Sequence, residues 1–420
     1  MLPLRVAASR RAVPFALVAV MIWACLPAEE IAEPQPESGR PQVRVALVLG
    51  ADSVSIGGGQ ALLVHDGDGV LRLEVPEQVT VAGSAATGGA LLRLDGGLSI
   101  EPAHLLRVSP RDEGGLVRLN GRDYRGELLL LPVGRALTVV NRLDIEGYLA
   151  GVISAEMGRR GAAEQAALEA QAVVSRTFAL RALLRFRERP YDLVATVADQ
   201  AYQGVAAELP QGWQAIAATA GQVLSWEGQP IEAFFHSTCG GRTAAGEEVF
   251  VDGARPYLRS TPDLAPDGTA WCAISPRYRW TERWASADLH EVLRRTLPAL
   301  GVEPGRIGTL ADIRVGGQTP SGRVRALLLR FDGGAVPIEG SAAVRQALQP
   351  VGGALLRSAA FRLEVSRSGD RLREVRAEGS GAGHGVGFCQ WGAVGRARGG
   401  ADWRAILHAY FLGADVERRW

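Results

Sequence analysis

The stretch that decides the fold runs from Asp144 to Phe186 and reads DIEGYLAGVISAEMGRRGAAEQAALEAQAVVSRTFALRALLRF. Its apolar residues recur at helical spacing on both sides of a short Gly/Arg turn, which predicts two packed helices. Glu156 stands where the apolar face of the first helix ends. Burial at the edge of a core raises a carboxyl pKa, so this residue is a candidate general acid. The alternative from spacing alone is a solvated residue at a helix end.

Four blocks of sequence extend the pattern along the chain. They are GVISAEM with the following AALEAQAVVSRTFAL, then YDLVATVADQAYQG, EAFFHSTCGGRT and GHGVGFCQWGA. Their residues and their order resemble the stage II sporulation protein D / LytB family (SpoIID domain), peptidoglycan-acting proteins of bacterial envelopes. The resemblance extends from about Tyr148 to Gly413.

The resemblance implies a lytic transglycosylase that cleaves peptidoglycan glycan strands, with Glu156 as the catalytic general acid and base. One carboxyl group suffices, since the C6 hydroxyl of the muramyl sugar is the nucleophile and a 1,6-anhydro end forms. Seven residues in the matching blocks are expected to bind substrate: Gln171, Arg176, Gln200, Tyr202, His236, His384 and Gln390. The family also implies an alternative without catalysis, an enhancer of a cell-wall amidase. A third interpretation is a structural glycan-binding envelope protein, for which the same cleft would serve.

The second helix and the last block carry more specific expectations. Gln171 and Arg176 should face Glu156 from the second helix, with Arg176 to one side, where it can hold an acidic substrate group. Alternating glycines surround His384, and such glycines let a backbone pass close to a ligand or another segment. We therefore predict that His384 and Gln390 close onto the cleft that holds Glu156, with His236 on its rim.

Composition bounds the class of protein. The chain has 420 residues, of which 47% are hydrophobic, and a formal net charge of +1. The length suggests two or three domains. The charge is balanced, so it does not indicate a basic surface that binds nucleic acid. Residues 1–28 combine early arginines with a short apolar run, the pattern of a secretory signal or a membrane or lipid anchor. We expect an exported protein of the periplasm or cell envelope that contacts the membrane only through this segment.

The predicted fold is α+β, with a β-rich core, a packed helical pair and an N-terminal accessory β-domain. Short strands separated by Gly and Asp turns begin at residue 43, and Asn120-Gly121 marks a hairpin. The predicted segments after the leader are a Pro/Glu-rich linker (29–42), the N-terminal β-rich domain (43–109), the catalytic core (110–284), an accessory β/α insertion (285–374) and the C-terminal part of the core (375–420).

Four cysteines occur, and Cys25 belongs to the targeting segment. Cys239 and Cys272 are predicted to lie close together, either in a disulfide bond or, with His236, as ligands of a zinc ion. A disulfide bond or inert thiols are favoured over zinc, and no other cofactor is expected. The family usually has Ser where Cys239 and Cys389 stand, so neither thiol is required for chemistry that the family shares.

Overall fold

The computed structural model describes residues 39–75, 79–83, 90–93, 99–186 and 188–420. The predicted targeting segment, with Cys25, and residues 29–38 of the predicted linker lie outside these ranges. Two compact units divide the described chain. The larger unit comprises the described residues up to Tyr278 together with Gly381–Trp420, and the smaller unit is Arg279–Ser380.

Strands and helices alternate in blocks along the described residues. The strands are β1 (Gln42–Ala51), β2 (Ser53–Gly57), β3 (Leu62–Asp66), β4 (Leu71–Val75), β5 (Val79–Gly83), β6 (Ala90–Arg93), β7 (Ser99–Ala103), β8 (Leu106–Pro110), β9 (Val117–Leu119), β10 (Arg122–Tyr124), β11 (Glu127–Val133), β12 (Ala136–Asp144), β13 (Leu193–Val194), β14 (Gln222–Trp226), β15 (Gln229–Pro230), β16 (Phe235–His236), β17 (Arg279–Ala285), β18 (Leu310–Gln318), β19 (Val324–Phe331), β20 (Gly334–Glu339), β21 (Phe361–Ser368), β22 (Arg371–Ser380), β23 (Phe388–Cys389) and β24 (Asp415–Arg418). The helices are α1 (Ile145–Met157), α2 (Gln165–Arg185), α3 (Pro210–Ala218), α4 (Ser286–Thr296), α5 (Ser341–Ala347), α6 (Gln390–Arg398) and α7 (Trp403–Tyr410).

In its described residues, the larger unit contains four sheets. A seven-stranded sheet has the order β13-β1-β12-β11-β8-β3-β4, and a six-stranded sheet has the order β10-β9-β2-β5-β6-β7. The other two sheets are small, β15-β14-β24 and the parallel pair β16-β23. Helices α1, α2, α6 and α7 share one apolar core with these strands. The predicted α+β class with a β-rich core and a packed helical pair is confirmed.

The N-terminal strands are continuous with the core. Strands β1, β3, β4 and β8 lie in the same seven-stranded sheet as β11 and β12, which follow residue 110. The predicted boundary between residues 109 and 110 therefore does not separate two sheets. The Asn120-Gly121 turn joins β9 to β10 as predicted, and both of its residues have positive φ, 48° and 81°. Within the described ranges, we find no helix long and apolar enough to cross a membrane.

Local capping sets the start and end of α1. The Asp144 carboxylate accepts hydrogen bonds from the backbone N–H groups of Glu146 and Gly147, at 3.1 and 3.2 Å, which satisfies two donors of the first turn. Gly158 ends the helix with φ of 69°. Because α1 and α2 are buried along most of their length, tertiary packing holds them, and the polar residues among their buried positions need partners.

The smaller unit has its own core. It contains two three-stranded sheets, β17-β22-β21 and β18-β19-β20, with α4 and α5. Trp284 is fully buried, and its indole N–H donates to the Gln349 carbonyl at 2.9 Å. None of the predicted site residues falls within this unit.

Candidate functional site

Glu156 lies in the last turn of α1, half-buried, with both carboxylate oxygens hydrogen-bonded. Oε1 accepts the backbone N–H of Ala201 at 2.7 Å, and Oε2 accepts the side-chain amide of Gln390 at 3.2 Å. Burial raises the pKa of Glu156 above its ordinary value, and these two hydrogen bonds offset the rise only in part. The group is thus held in a fixed position and keeps its proton to a higher pH than a solvated glutamate does.

Gln171 and Gln390 meet behind this carboxyl group. Gln171 is fully buried in α2, donates to the Ser175 hydroxyl at 2.9 Å, and accepts a longer contact of 3.5 Å from the Gln390 amide. Gln390 is the first residue of α6, so the contact joins α2 to α6. The expectation that Gln390 reaches the Glu156 site is met in the structure. Gln171 contacts Gln390, and no hydrogen bond joins it to Glu156 among the described contacts.

Arg176 requires a correction. Its side chain is fully buried and forms an ion pair with Glu146, with Nη2 at 2.6 Å and Nε at 3.0 Å from the carboxylate oxygens. Nη1 donates to the Gln222 carbonyl at 3.0 Å. The guanidinium is therefore engaged by the core, and it does not face Glu156 or offer itself to an acidic substrate group.

Gln200 and Tyr202 are also core residues in this structure, contrary to the expectation that they bind substrate. Gln200 accepts the hydroxyl of Tyr148 at 2.9 Å, and Tyr202 donates its hydroxyl to Asn141 at 2.7 Å. Both side chains are buried, and burial raises the pKa of Tyr202. Together they hold the segment whose Ala201 N–H reaches Glu156.

His236 and His384 form a pair of rings. Their centroids are 5.5 Å apart in an edge-on arrangement. His236 Nδ1 lies 3.1 Å from the Val386 carbonyl, the geometry of an Nδ1–H donor, and the Val386 N–H donates to His384 Nδ1 at 3.1 Å. The latter contact makes His384 Nδ1 an acceptor, so the proton of a neutral His384 ring is on Nε2.

The glycine-rich segment passes close to the strand that carries His236. A Cβ atom at Gly383, which has φ of 101°, would come within 2.8 Å of His236 Cβ. This close approach explains the glycine at position 383, because a side chain there would clash. The parallel pairing of β16 with β23 sets His236 opposite Cys389, the residue before Gln390. His236 is buried and His384 is half-buried, so His384 is the more accessible of the two.

Comparisons with known proteins identify the chain's relatives. The family profile described as "Stage II sporulation protein" matches residues 133–226, and a domain of unknown function matches residues 267–387. The stage II sporulation protein D of Bacillus subtilis is 30% identical over 303 residues, which cover 68% of this chain and 78% of that protein. The chain belongs to the stage II sporulation protein D family.

Two further relatives show the spread of this family. An uncharacterised protein of Brachyspira hyodysenteriae is 31% identical over 302 residues, 71% of this chain and 73% of that protein. A protein of Bacillus subtilis named amidase enhancer is 24% identical over 343 residues, 74% of this chain but 46% of that protein. The resemblance inferred from the four sequence blocks is therefore confirmed at the level of the family.

This member of the SpoIID family has a cluster of buried thiols beside the histidine pair. The Sγ atoms of Cys239 and Cys272 are 3.5 Å apart, so the predicted proximity is present, but no disulfide bond joins cysteines of the described residues. The third thiol is Cys389, and the carboxylate of Asp263 is the fourth group. His236 is not part of this cluster, which corrects the predicted ligand set of His236, Cys239 and Cys272.

Three groups at these two sites were not predicted from the sequence: the Ala201 amide that contacts Glu156, and Asp263 and Cys389 in the thiol cluster. The Ala201 amide carries no side-chain signal. Asp263 lies between two predicted blocks of the SpoIID pattern, in a loop without any recognised motif. Cys389 was visible in the sequence as a third thiol after the targeting segment, but nothing in its local sequence linked it to Cys239.

A separate cavity of about 760 Å³ lies in the smaller unit, lined by Trp280, Gln318, Arg362 and Glu378 among others. The carboxyl group among these residues, Glu378, is paired with Arg362, which lowers the pKa of Glu378 and disfavours the protonated form that a general acid needs. We therefore assign the candidate active site to Glu156 rather than to this cavity.

Proposed function

We propose that the protein is a cell-wall lytic transglycosylase that cleaves peptidoglycan glycan strands and uses Glu156 as general acid and general base. The observation that carries the proposal is the half-buried Glu156 carboxyl group, whose pKa is raised by burial and whose two oxygens are held by Ala201 and Gln390. A raised pKa keeps the proton on the carboxyl group to a higher pH than on a solvated glutamate, which favours a role as acid catalyst.

The reaction would begin with protonation of the glycosidic oxygen between N-acetylmuramic acid and N-acetylglucosamine. The bond from the muramyl C1 to that oxygen breaks, and the N-acetylglucosamine side leaves as an alcohol. The carboxylate of Glu156 then accepts the proton of the muramyl C6 hydroxyl, whose oxygen bonds to C1 and closes the 1,6-anhydro ring. Glu156 ends protonated, as it began, and no water is consumed.

Gln390 and Ala201 would position Glu156 during both proton transfers. Both hydrogen bonds favour the charged carboxylate, and so they stabilise the state that exists after the first transfer. His384 is half-buried on the segment leading to Gln390, and its Nε2–H would donate to a sugar hydroxyl or acetamido oxygen. Gln171 would act through its contact with Gln390.

Digestion of purified glycan strands by the full chain tests the proposal. Lytic cleavage gives muramyl ends that are lighter by one water molecule than the ends produced by hydrolysis, and mass spectrometry separates the two. Glu156→Gln should lower the rate on the order of 100- to 10,000-fold, because an amide cannot exchange the proton. Glu247→Gln makes the same change at an exposed carboxylate of the same unit and should leave the rate unchanged. Cleavage by Glu156→Gln within a few fold of wild type would show that Glu156 is not the catalyst.

The similarity to the amidase enhancer favours a second candidate, a non-catalytic enhancer of a cell-wall amidase. In that case the protein would leave no 1,6-anhydro ends, and Glu156→Gln would stimulate an added amidase as well as wild type does. Binding of glycan strands with neither cleavage nor stimulation would indicate a glycan-binding envelope protein. All three roles place the protein outside the cytoplasmic membrane, and export is part of the proposal.

A further inference from the structure

The thiol cluster of the larger unit has the composition of a metal site. Each of its four residues offers one ligand atom, and these atoms all lie within 4.8 Å of one another. None of the four side chains is more than 2% exposed. We propose that the cluster binds a structural zinc ion through four ligands: the Sγ atoms of Cys239, Cys272 and Cys389 and the Oδ2 atom of Asp263.

The separations agree with tetrahedral coordination. With Zn–S bonds of about 2.3 Å, two sulfur ligands of a tetrahedral ion lie about 3.8 Å apart, and a sulfur and an oxygen ligand lie slightly closer. Cys239 Sγ is 3.5 Å from Cys272 Sγ and 3.2 Å from Asp263 Oδ2. Small shifts would therefore admit the ion at the centre of the cluster, if they move these two pairs apart and bring the most distant ligand atoms, at most 4.8 Å apart, closer together.

The groups around the ligands orient them for a cation. Asp263 Oδ1 accepts both Arg396 Nε and Nη2, at 3.1 and 3.0 Å, and the Tyr410 hydroxyl at 3.0 Å. These contacts fix the carboxylate and direct Oδ2 toward the thiols. In known metal sites, outer-shell residues hold the ligands in the orientation that binding requires, and Arg396 and Tyr410 would do so for Asp263.

Backbone amides also point at the sulfur atoms. Cys389 Sγ accepts the N–H groups of Cys239 and Gly392, at 3.1 and 3.3 Å, and Cys239 Sγ accepts the Gly241 N–H at 3.3 Å. Such N–H···S contacts stabilise sulfur in its thiolate form, which is the form that binds a metal. Gly392 also leaves room for the site, because a Cβ atom there would lie 2.2 Å from Asp263 Oδ2.

Zinc accounts for the whole cluster, whereas a disulfide accounts for half of it. A bond between Cys239 and Cys272 would leave the Cys389 sulfur outside the bond and would remove the Cys239 thiol proton that Asp263 Oδ2 now accepts. Three thiolates with one carboxylate match zinc, and four protein ligands leave no open position for water or substrate. The ion would therefore be structural rather than catalytic.

The position of the site indicates what the ion stabilises. Its ligands come from three separate segments, and Cys389 directly precedes Gln390 at the start of α6. Binding would fix the start of α6, and with it the amide that contacts Glu156. Because metal binding to a folded site adds to folding free energy, zinc should raise the unfolding temperature of the larger unit. The proposal does not depend on the catalytic role of Glu156.

Metal analysis of the full chain, purified without chelator, tests the inference, and we expect a single zinc ion per chain. Replacement by cobalt should give the intense sulfur-to-cobalt absorption of a thiolate site. Removing the ion with a chelator should lower the unfolding temperature by several degrees. Asp263→Asn and Cys272→Ser should weaken zinc binding by more than about 100-fold, since loss of an outer-shell partner alone costs about 10- to 100-fold. His236→Ala is the matched control and should retain the metal.

The wild-type cobalt spectrum keeps the test decisive if the cysteine variant fails to fold. The inference is overturned by a folded protein that carries a Cys239–Cys272 disulfide, two hydrogens lighter in mass, and binds no cobalt after reduction. Three reduced thiols that react with a thiol reagent equally with and without added zinc overturn it as well. Retention of zinc by Asp263→Asn but not by His236→Ala would restore His236 as the fourth ligand and refute Asp263.

Discussion

Replacing Arg176 by Met separates the two roles that the sequence and the structure give to this residue. The resemblance to the family predicts that Arg176 holds an acidic group of the substrate. In the structure it is fully buried and paired with Glu146. We therefore expect Arg176→Met to destabilise the protein while leaving the Michaelis constant for glycan strands unchanged in the fraction that remains folded.

The magnitude follows from what the substitution leaves behind. Arg176 donates to both oxygens of Glu146 and to the Gln222 carbonyl. After the change, the Glu146 carboxylate keeps only the Gly221 amide and the Trp420 indole, at 3.3 and 3.1 Å, against its buried charge. Removing one partner of a buried ion pair costs about 3–5 kcal/mol. At about 2–4 °C per kcal/mol, the unfolding midpoint should fall by roughly 10 °C.

Thermal unfolding of the full chain, followed by circular dichroism, measures this effect. The double variant Glu146→Leu/Arg176→Met should recover part of the loss, because it removes the uncompensated charge. Arg118→Met removes an exposed arginine that is paired with Asp123 in the same unit, and should leave the midpoint unchanged. An unchanged midpoint for Arg176→Met, together with a raised Michaelis constant, would refute the ion-pair reasoning and restore the substrate-binding role.

Two further predictions concern the surroundings of Glu156. Gln390→Ala removes a hydrogen bond that lowers the pKa of Glu156, so this pKa should rise further. The decrease in cleavage rate at high pH should then occur at a higher pH than in wild type. A pH–rate profile that is unchanged, or shifted to lower pH, would contradict the contact. Tyr202→Phe leaves Asn141 Oδ1 without its buried donor and should cost about 1–3 kcal/mol of unfolding free energy with the Michaelis constant unchanged. A raised Michaelis constant at wild-type stability would instead make Tyr202 a substrate-binding residue.

The helical pair and the Asn120-Gly121 hairpin were predictable because their signals are local. The Asp144 carboxylate caps α1 by accepting the N–H groups two and three residues later in the chain, and apolar residues at helical spacing indicate both helices. The contact of Gln390 with Glu156 was predictable only through the family pattern, since the two are far apart in the chain. Nothing in α2 distinguishes an arginine that faces a cleft from one that is buried, because its partner Glu146 lies 30 residues earlier.

The cysteines show the same limit. The number and positions of the cysteines predicted that Cys239 and Cys272 lie close together. They did not predict that Asp263 and Cys389 lie beside these two thiols. Asp263 comes from a loop, and Cys389 lies 150 residues after Cys239. Their convergence depends on the pairing of β16 with β23, which has no local signal in two strands of two residues each.

The long separation between Glu156 and Gln390 has a consequence for synthesis of the protein. Gln390 is added 234 residues after Glu156, which takes roughly 10–50 s at ribosomal rates of about 5–20 residues per second. Strand β23 and helices α6 and α7 join the larger unit only after the smaller unit has been made. A truncated product that ends before Gln390 therefore carries Glu156 without its amide partner. The pair of hydrogen bonds to the Glu156 carboxylate is therefore complete only after Gln390 has been made, and a fragment that ends earlier retains the Ala201 bond but lacks the Gln390 bond.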